Sequence, residues 1–527
     1  MSDKNPIAFL IILLIGVVFL TDSCASPKSV PEVIQSPSPD FPTPSTEPST
    51  VLTNDSIVHP TPQMPPYEDL LVAFTRTTED TALLIFADMA GNVLENIDLG
   101  DPVKIPVLKD AISPDGKHFA YCSGSDVYTL DGLSYGLSNL VLRILDIHEQ
   151  RTIQEIPLTP ENFPENFLGP AAELLQGYFS TLAEEPSLER NTEILHQTFV
   201  EHSCSLSWSP DGRYLAYSGI SENGSSDIHL YNTETNEQQV IASKAGVAKE
   251  INWSPNGELL AYSVDIGDWD HGYIILPDGT VLVERQNIGS LPLEWISPTQ
   301  FLFSRYMSSF GAYDLNLIDA EKKDVINLWP LSWWSYAYDR NIDRFLLFYE
   351  PPIGFEDVDE FSELLPGIYE IDTSTGESRF FSDLYADTDM KYWRSTDTNF
   401  VTSSYQDGVN TISESGDINK IAGSRPRLSV SPNHKFLATY ESGRGGLKIY
   451  SESGELVEKI TSETVDWMMW SQDSCCILYS TEVPTDSYPT HNIYSLDVAT
   501  LTSTLVGVEV DTYKRRWEIQ ATWMNIE

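Results

Sequence analysis

AISPDGKHFAYCSG at residues 111–124, LSWSPDGRYLAYSG at 206–219, INWSPNGELLAYSV at 251–264, LSVSPNHKFLATYE at 428–441 and MMWSQDSCCILYST at 468–481 are five versions of one phrase. Each opens on an apolar strand end, passes through a tight turn and continues into a strand rich in aromatic and aliphatic residues. The turn chemistry is explicit in the second copy: Pro210 presets φ at the first central position, Asp211 can bond its own backbone, and Gly212 tolerates the exit conformation.

A third strand, a polar turn and a fourth strand follow, as in DIHLYNTETNEQQVIA at 227–242 and GIYEIDTSTGESRFFS at 367–382. The unit is therefore four antiparallel strands in roughly 40 residues, the size of one blade in a repeat fold. One such unit leaves an apolar face open, so it must stack on others like itself. A closed radial stack buries both faces of every unit and protects the edges.

The W-S-P-D-G-[KR] hairpin resembles the WD40-like repeat of TolB-type propellers, from about Asp69 to the C-terminus. That resemblance implies an all-β chain with a single closed β-propeller. It says little about activity, because propellers of this kind serve as binding modules, lyases and peptidase gates alike.

Weaker units at EWISPTQFLFSRY (294–306), SYAYDRNIDRFLLFYE (335–350) and YWRSTDTNFVTSSY (392–405) fill the gaps. Leu70 to Leu99 supply three strands without an inner partner, and the segment 518–526 matches an inner strand without a blade. The last strand is thus expected to complete the first blade. A literal count gives nine blades; rings of six to eight are usual, so about eight are expected within seven to nine, with the Tyr392 unit the one to drop.

Ahead of the propeller, 69–527, two segments differ in character. Ile7 to Leu20 is an uninterrupted apolar or glycine run after Lys4, too short for the roughly 20 residues of a spanning helix and suited to an export signal. FLTDSCAS follows and resembles the lipobox of bacterial lipoproteins, which implies a signal peptide over 1–24 and diacylation of Cys24, although Thr21 and Asp22 depart from the usual pattern. Residues 25–68 are dominated by Pro, Ser and Thr, the composition of a solvated tether. The expected location is the cell envelope or cell surface, attached to the membrane through this anchor.

Across the 527 residues, 78 acidic against 31 basic side chains give a formal charge of −47. Such a field repels phosphate backbones, so nucleic acid is excluded as a primary partner. With 41% hydrophobic and 11% aromatic residues, the composition is ample for a core.

Loops joining strands one to two and three to four are short. Long ones fall between strands two and three, at 124–138, 265–272, 351–366 and 481–491, and the largest, 158–203, joins a fourth strand to the next first strand. In up-and-down blades both kinds emerge on one face, where binding is expected. The 158–203 insertion carries Ala171, Leu174, Leu175, Tyr178, Phe179 and Leu182 at helical spacing, so a small helical cap is expected there.

DIGDWDHG at 265–272 sets Asp268, Trp269, Asp270 and His271 together, and PPIGFEDVDEFSELLPG at 351–367 carries Asp357, Asp359 and Glu360. Tryptophan flanked by carboxylates suits sugars or cationic groups. The acids lack the alternation and glycine of a calcium loop, and the H-x5-H-x-C group His196, His202 and Cys204 matches no common zinc pattern, so neither a metal nor a cofactor is expected. No G-x-S-x-G elbow or other catalytic motif occurs. Cys122 and Cys204 fall in adjacent blades; a bridge between them is possible in an oxidising compartment, but spacing gives no distance and two buried free thiols are the expected state. Trp208, Trp253, Trp470 and Trp523 share one inner-strand position and are expected to pack.

These features lead to an extracytoplasmic, monomeric binding or protein-interaction module for a protein, peptide or carbohydrate. The alternative is a carbohydrate-active lyase or hydrolase with converging carboxylates at the channel mouth.

Overall fold

The computed structural model describes residues 70–525, apart from 159–203, 351–363 and shorter stretches in the connections between strands. In the third blade the strands Leu206–Trp208, Tyr214–Ile220, Ser226–Asn232 and Glu237–Lys244 pair in sequence, all antiparallel, from the innermost outward. The same order recurs at 103–157, 247–288, 294–329, 335–382, 389–422, 427–459 and 465–510. The first blade is split: Ala521–Asn525 is its innermost strand, against Leu70–Thr77, followed by Ala82–Asp88 and Val93–Gly100. Among the described residues the blades number nine. The unit at Tyr392 is a complete blade, so the count is one more than the eight favoured from sequence.

Why each blade needs two neighbours is visible in its second strand. Successive side chains point to opposite faces, and in Leu70–Thr77 the residues Leu71 and Ala73 pack with Phe119 and Tyr121 of the second blade. The intervening Val72 and Phe74 pack with Leu478 and Ile493 of the ninth. Every one of the nine successive interfaces holds its own buried apolar cluster, including the ninth against the first. The core is thus a ring of separate wedges.

The repeated turn is built on its serine. Ser209 Oγ donates to Asp211 Oδ1 at 2.7 Å and accepts the Tyr214 amide at 2.9 Å, while the Gly212 amide bonds the Ser209 carbonyl at 2.8 Å. Equivalent bonds form around Ser113, Ser254, Ser431 and Ser471. The residue after the Asp or Asn is left-handed in all five, at φ 70° for Gly212 and 59° and 65° where His434 and Ser474 replace glycine.

The tryptophans do more than pack. Each indole Nε1 donates to a carbonyl of the preceding blade's turn entry: Trp208 to Ala111 at 3.1 Å, Trp253 to Ser207 at 3.0 Å, Trp295 to Asn252 at 3.3 Å and Trp470 to Ser429 at 3.2 Å. Three of the rings also stack on the aromatic residue that follows that turn, namely His118, Tyr214 and Phe436.

Outside the tryptophans, glycine turns between third and outermost strands let neighbouring blades approach. A Cβ at Gly91, Gly279 or Gly376 would lie 2.3–2.6 Å from a carbonyl oxygen of the preceding blade's outermost strand. Among the described residues the sole helix is the four-residue turn Leu108–Ala111. The expected helical insertion, the tether and the signal segment lie outside the described residues.

Candidate functional site

Tight turns close one face of the ring. The other face carries the connections from second to third strands and from outermost strands to the next blade. Within 124–140 the chain folds into an extra hairpin, Asp126–Leu130 against Ser134–Ser138, and 511–520 contains the short pair Thr512–Tyr513 and Glu518–Ile519.

On this face three consecutive innermost strands begin with charge. Asp389 opens Asp389–Trp393, Arg427 opens Arg427–Val430, and Asp466 is the second residue of Val465–Trp470. Antiparallel geometry brings the ends of the second strands and the starts of the third strands to the same level. That places Tyr440, Glu482 and His491 beside them.

The six side chains form one electrostatic group. Asp389 Oδ2 accepts the Leu428 amide of the next blade at 3.3 Å, and Lys391 Nζ lies 3.3 Å from Asp389 Oδ1. Burial pushes the Tyr440 phenol up, Arg427 pulls it back, and the Asp389 and Asp466 charges push it further up. His491 stands opposite Glu482 in register and is 5% exposed. Burial pushes its imidazole down, and the nearby Asp466 and Glu482 carboxylates offset part of that. Its Nδ1 has no hydrogen-bond partner among the described residues.

A neutral imidazole, a protonated phenol, a guanidinium and carboxylates can together hold a polar ligand by donors and acceptors of both kinds. Among the described residues no group of three or more His, Cys, Asp or Glu is arranged to hold a metal ion.

Two other polar groups, one buried and one partly buried, act within the wall. Asp314 accepts from Asn316 Nδ2 at 2.7 Å and Asn327 Nδ2 at 3.3 Å inside the fifth blade. Arg344 bonds Glu370 at 2.7 Å and lies 5.0 and 5.2 Å from the Phe381 and Phe400 rings, pinning the sixth blade to the seventh.

Of the residues singled out in the sequence, His271 is half-buried on Asp270–Ile275, opposite Val264. The backbone of Asp270 starts that strand. Its side chain, with Asp268, Trp269, Asp357, Asp359, Glu360 and Cys24, lies outside the described residues, as do His196 and His202. Cys204 is bonded to Cys122, with Cα atoms 6.2 Å apart, which removes its sulfur from any zinc reading. The cluster on blades seven to nine carries no local motif; its one sequence signal is a charged residue at the start of each inner strand.

A family model described as the first N-terminal β-propeller of ELP1 matches residues 173–272. No curated protein matches the chain. A solved structure described as a eukaryotic initiation factor is 14% identical over 87% of this chain and 98% of its own, with a TM-score of 0.52. An oligogalacturonate lyase in complex with manganese is 14% identical over 61% of this chain and 79% of its own, TM-score 0.33. The β-propeller domain of the Trilobed protease from Pyrococcus furiosus is 11% identical over 84% and 99%, TM-score 0.33. The family-model match and the likeness to the initiation factor support the propeller and its WD40-like repeat, and no activity.

Proposed function

We propose that this chain is an exported, lipid-anchored propeller of the TolB type that captures a peptide or carbohydrate on its loop-bearing face. The observation that carries the reading is the convergence of Asp389, Arg427, Tyr440, Asp466, Glu482 and His491 at that face. Export is supported by the Cys122–Cys204 bond, which belongs to an oxidising compartment. The apolar run before Cys24 and the Pro/Ser/Thr tether suit a head held away from a membrane. The segments with Asp268, Trp269, Asp270 and His271 and with Asp357, Asp359 and Glu360 connect second strands to third strands, and in this reading they would extend the contact area.

The test is a glycan and peptide array probed with the chain lacking residues 1–25. An Asp466→Asn, His491→Gln double variant is expected to lose at least tenfold in apparent affinity for whatever the parent captures, and Trp269→Ala to weaken it further. Binding that survives all three changes moves the site elsewhere. In cells, Cys24→Ser is expected to abolish palmitate labelling and release the chain from the membrane fraction; an unlabelled parent rejects the anchor.

A further inference from the structure

In four of the five repeated turns the two residues after the left-handed position are Lys117 and His118, Arg213 and Tyr214, Glu258 and Leu259, and Lys435 and Phe436. The ninth blade has Cys475 and Cys476 there. Long polar side chains fill the first of these places and rings or a leucine the second, so the blade requires neither thiol.

Neither cysteine is in a disulfide; Cys476 is fully buried and Cys475 half-buried. Consecutive residues of an extended strand point apart, yet these two are hydrogen-bonded to each other at the exit from the left-handed Ser474. Ser471 Oγ lies 3.6 Å from Cys475 Sγ, and the Ser474 hydroxyl accepts the Asn433 amide of the eighth blade at 2.9 Å, so the turn is held from both sides. The hydrogen bond from Cys476 keeps the Cys475 thiol below its ordinary range against burial and the Asp473 charge, which raises its thiolate fraction at neutral pH.

We propose that Cys475 and Cys476 form a thiol–disulfide exchange site for small, uncharged or cationic disulfides. The Cys475 thiolate attacks one sulfur of R–S–S–R, forming a mixed disulfide and expelling R–S⁻. Cys476, as it loses its proton, attacks the Cys475 sulfur, expels the second R–S⁻ and closes a disulfide between the neighbouring residues. Two protein thiols are oxidised, and one small disulfide is reduced to two thiols. Cys475 is the entry sulfur because it alone of the two reaches solvent. The formal charge of −47 favours cationic over anionic reagents.

The experiment exposes the folded chain to cystamine at neutral pH, quenches with iodoacetamide in denaturant and maps the tryptic peptide 460–514, which contains both cysteines and no other. In the parent this peptide is expected two hydrogens lighter and unalkylated. Cys476→Ser is expected to stop at a cysteamine adduct on Cys475, and Cys475→Ser to react at least tenfold more slowly than the parent. A parent peptide that carries two alkyl groups, or that retains a cysteamine adduct, overturns the proposal. So does a Cys475→Ser variant as reactive as the parent.

Discussion

The indole of Trp523 donates through Nε1 to the carbonyl of Met469 at 3.3 Å, joining the chain's last strand to the ninth blade. It repeats, at the seam of the ring, the bond that Trp208, Trp253, Trp295 and Trp470 make inside it. The seam is reinforced by Ser495 Oγ, which donates to the Met89 carbonyl at 3.1 Å, and by the apolar cluster around Val72, Phe74, Ile493 and Val510.

Replacing Trp523 by Phe keeps a ring in the wedge and removes the donor. A loss of about 1–2 kcal/mol is expected, since the Met469 carbonyl loses its indole partner. Trp253→Phe should cost a similar amount. Urea midpoints of the two variants check whether the closing interface behaves as the others do.

Gly279 and Gly416 share a left-handed φ, 87° and 86°, in different surroundings. A Cβ at Gly416 meets nothing within 4 Å, whereas at Gly279 it lies 2.3 Å from the Ile241 carbonyl oxygen of the third blade. Gly416→Ala should cost about 1–2 kcal/mol, the expense of a left-handed alanine. Gly279→Ala should cost at least about 2 kcal/mol more, and the difference measures blade-to-blade approach directly.

The Cys122–Cys204 bond closes a span of 82 residues between the second and third blades. Removing it as a Cys122→Ser, Cys204→Ser pair is expected to cost about 2–5 kcal/mol. Thermal melts with and without a phosphine reductant should show the same drop for the parent and none for the pair.

Burial pushes the imidazoles of His118, His229 and His491 below their ordinary range. A base whose folded pKa is depressed binds its proton more readily when unfolded. Stability is therefore full above about pH 6.5 and declines as pH falls from there toward the folded values, by at most about 1.4 kcal/mol per pH unit for each group. Carboxylates such as Asp211 continue the loss at lower pH: burial raises this one, but its bonds to Ser209 and Arg213 outweigh that and leave it below its ordinary range. The urea midpoint of the parent should be lower at pH 5.5 than at pH 7.5. The fall should be smaller in His491→Gln.

Much of this architecture is local chemistry and so was legible in the chain. The serine and the Asp or Asn of each turn, with glycine in three of the five, supply the bonds seen around Ser209 and Ser254, and a period of roughly 40 residues announces them. A literal count of units equals the nine blades; only the usual ring size of six to eight argues for dropping one, and nothing in the residues near Tyr392 requires it. The partners of the tryptophans were silent because their acceptors are backbone carbonyls, which any residue supplies. The group at Asp389, Arg427 and Asp466 was silent for another reason: its members are one blade apart, and only the curvature of the ring brings them within electrostatic reach. The Cys122–Cys204 bond likewise depends on a distance that spacing does not encode.

A ring whose first blade borrows its inner strand from the end of the chain cannot mature in the order in which it is made. Leu70–Thr77 emerges from the ribosome early, yet waits with one edge unpaired until all eight other blades and then Ala521–Asn525 have been synthesised. Until the ninth blade has been made, Val72 and Phe74 lack Leu478 and Ile493 to pack against, which leaves their apolar surface open on the nascent chain. On the export proposed above, late closure would keep the polypeptide open for transport and defer locking until transport is over.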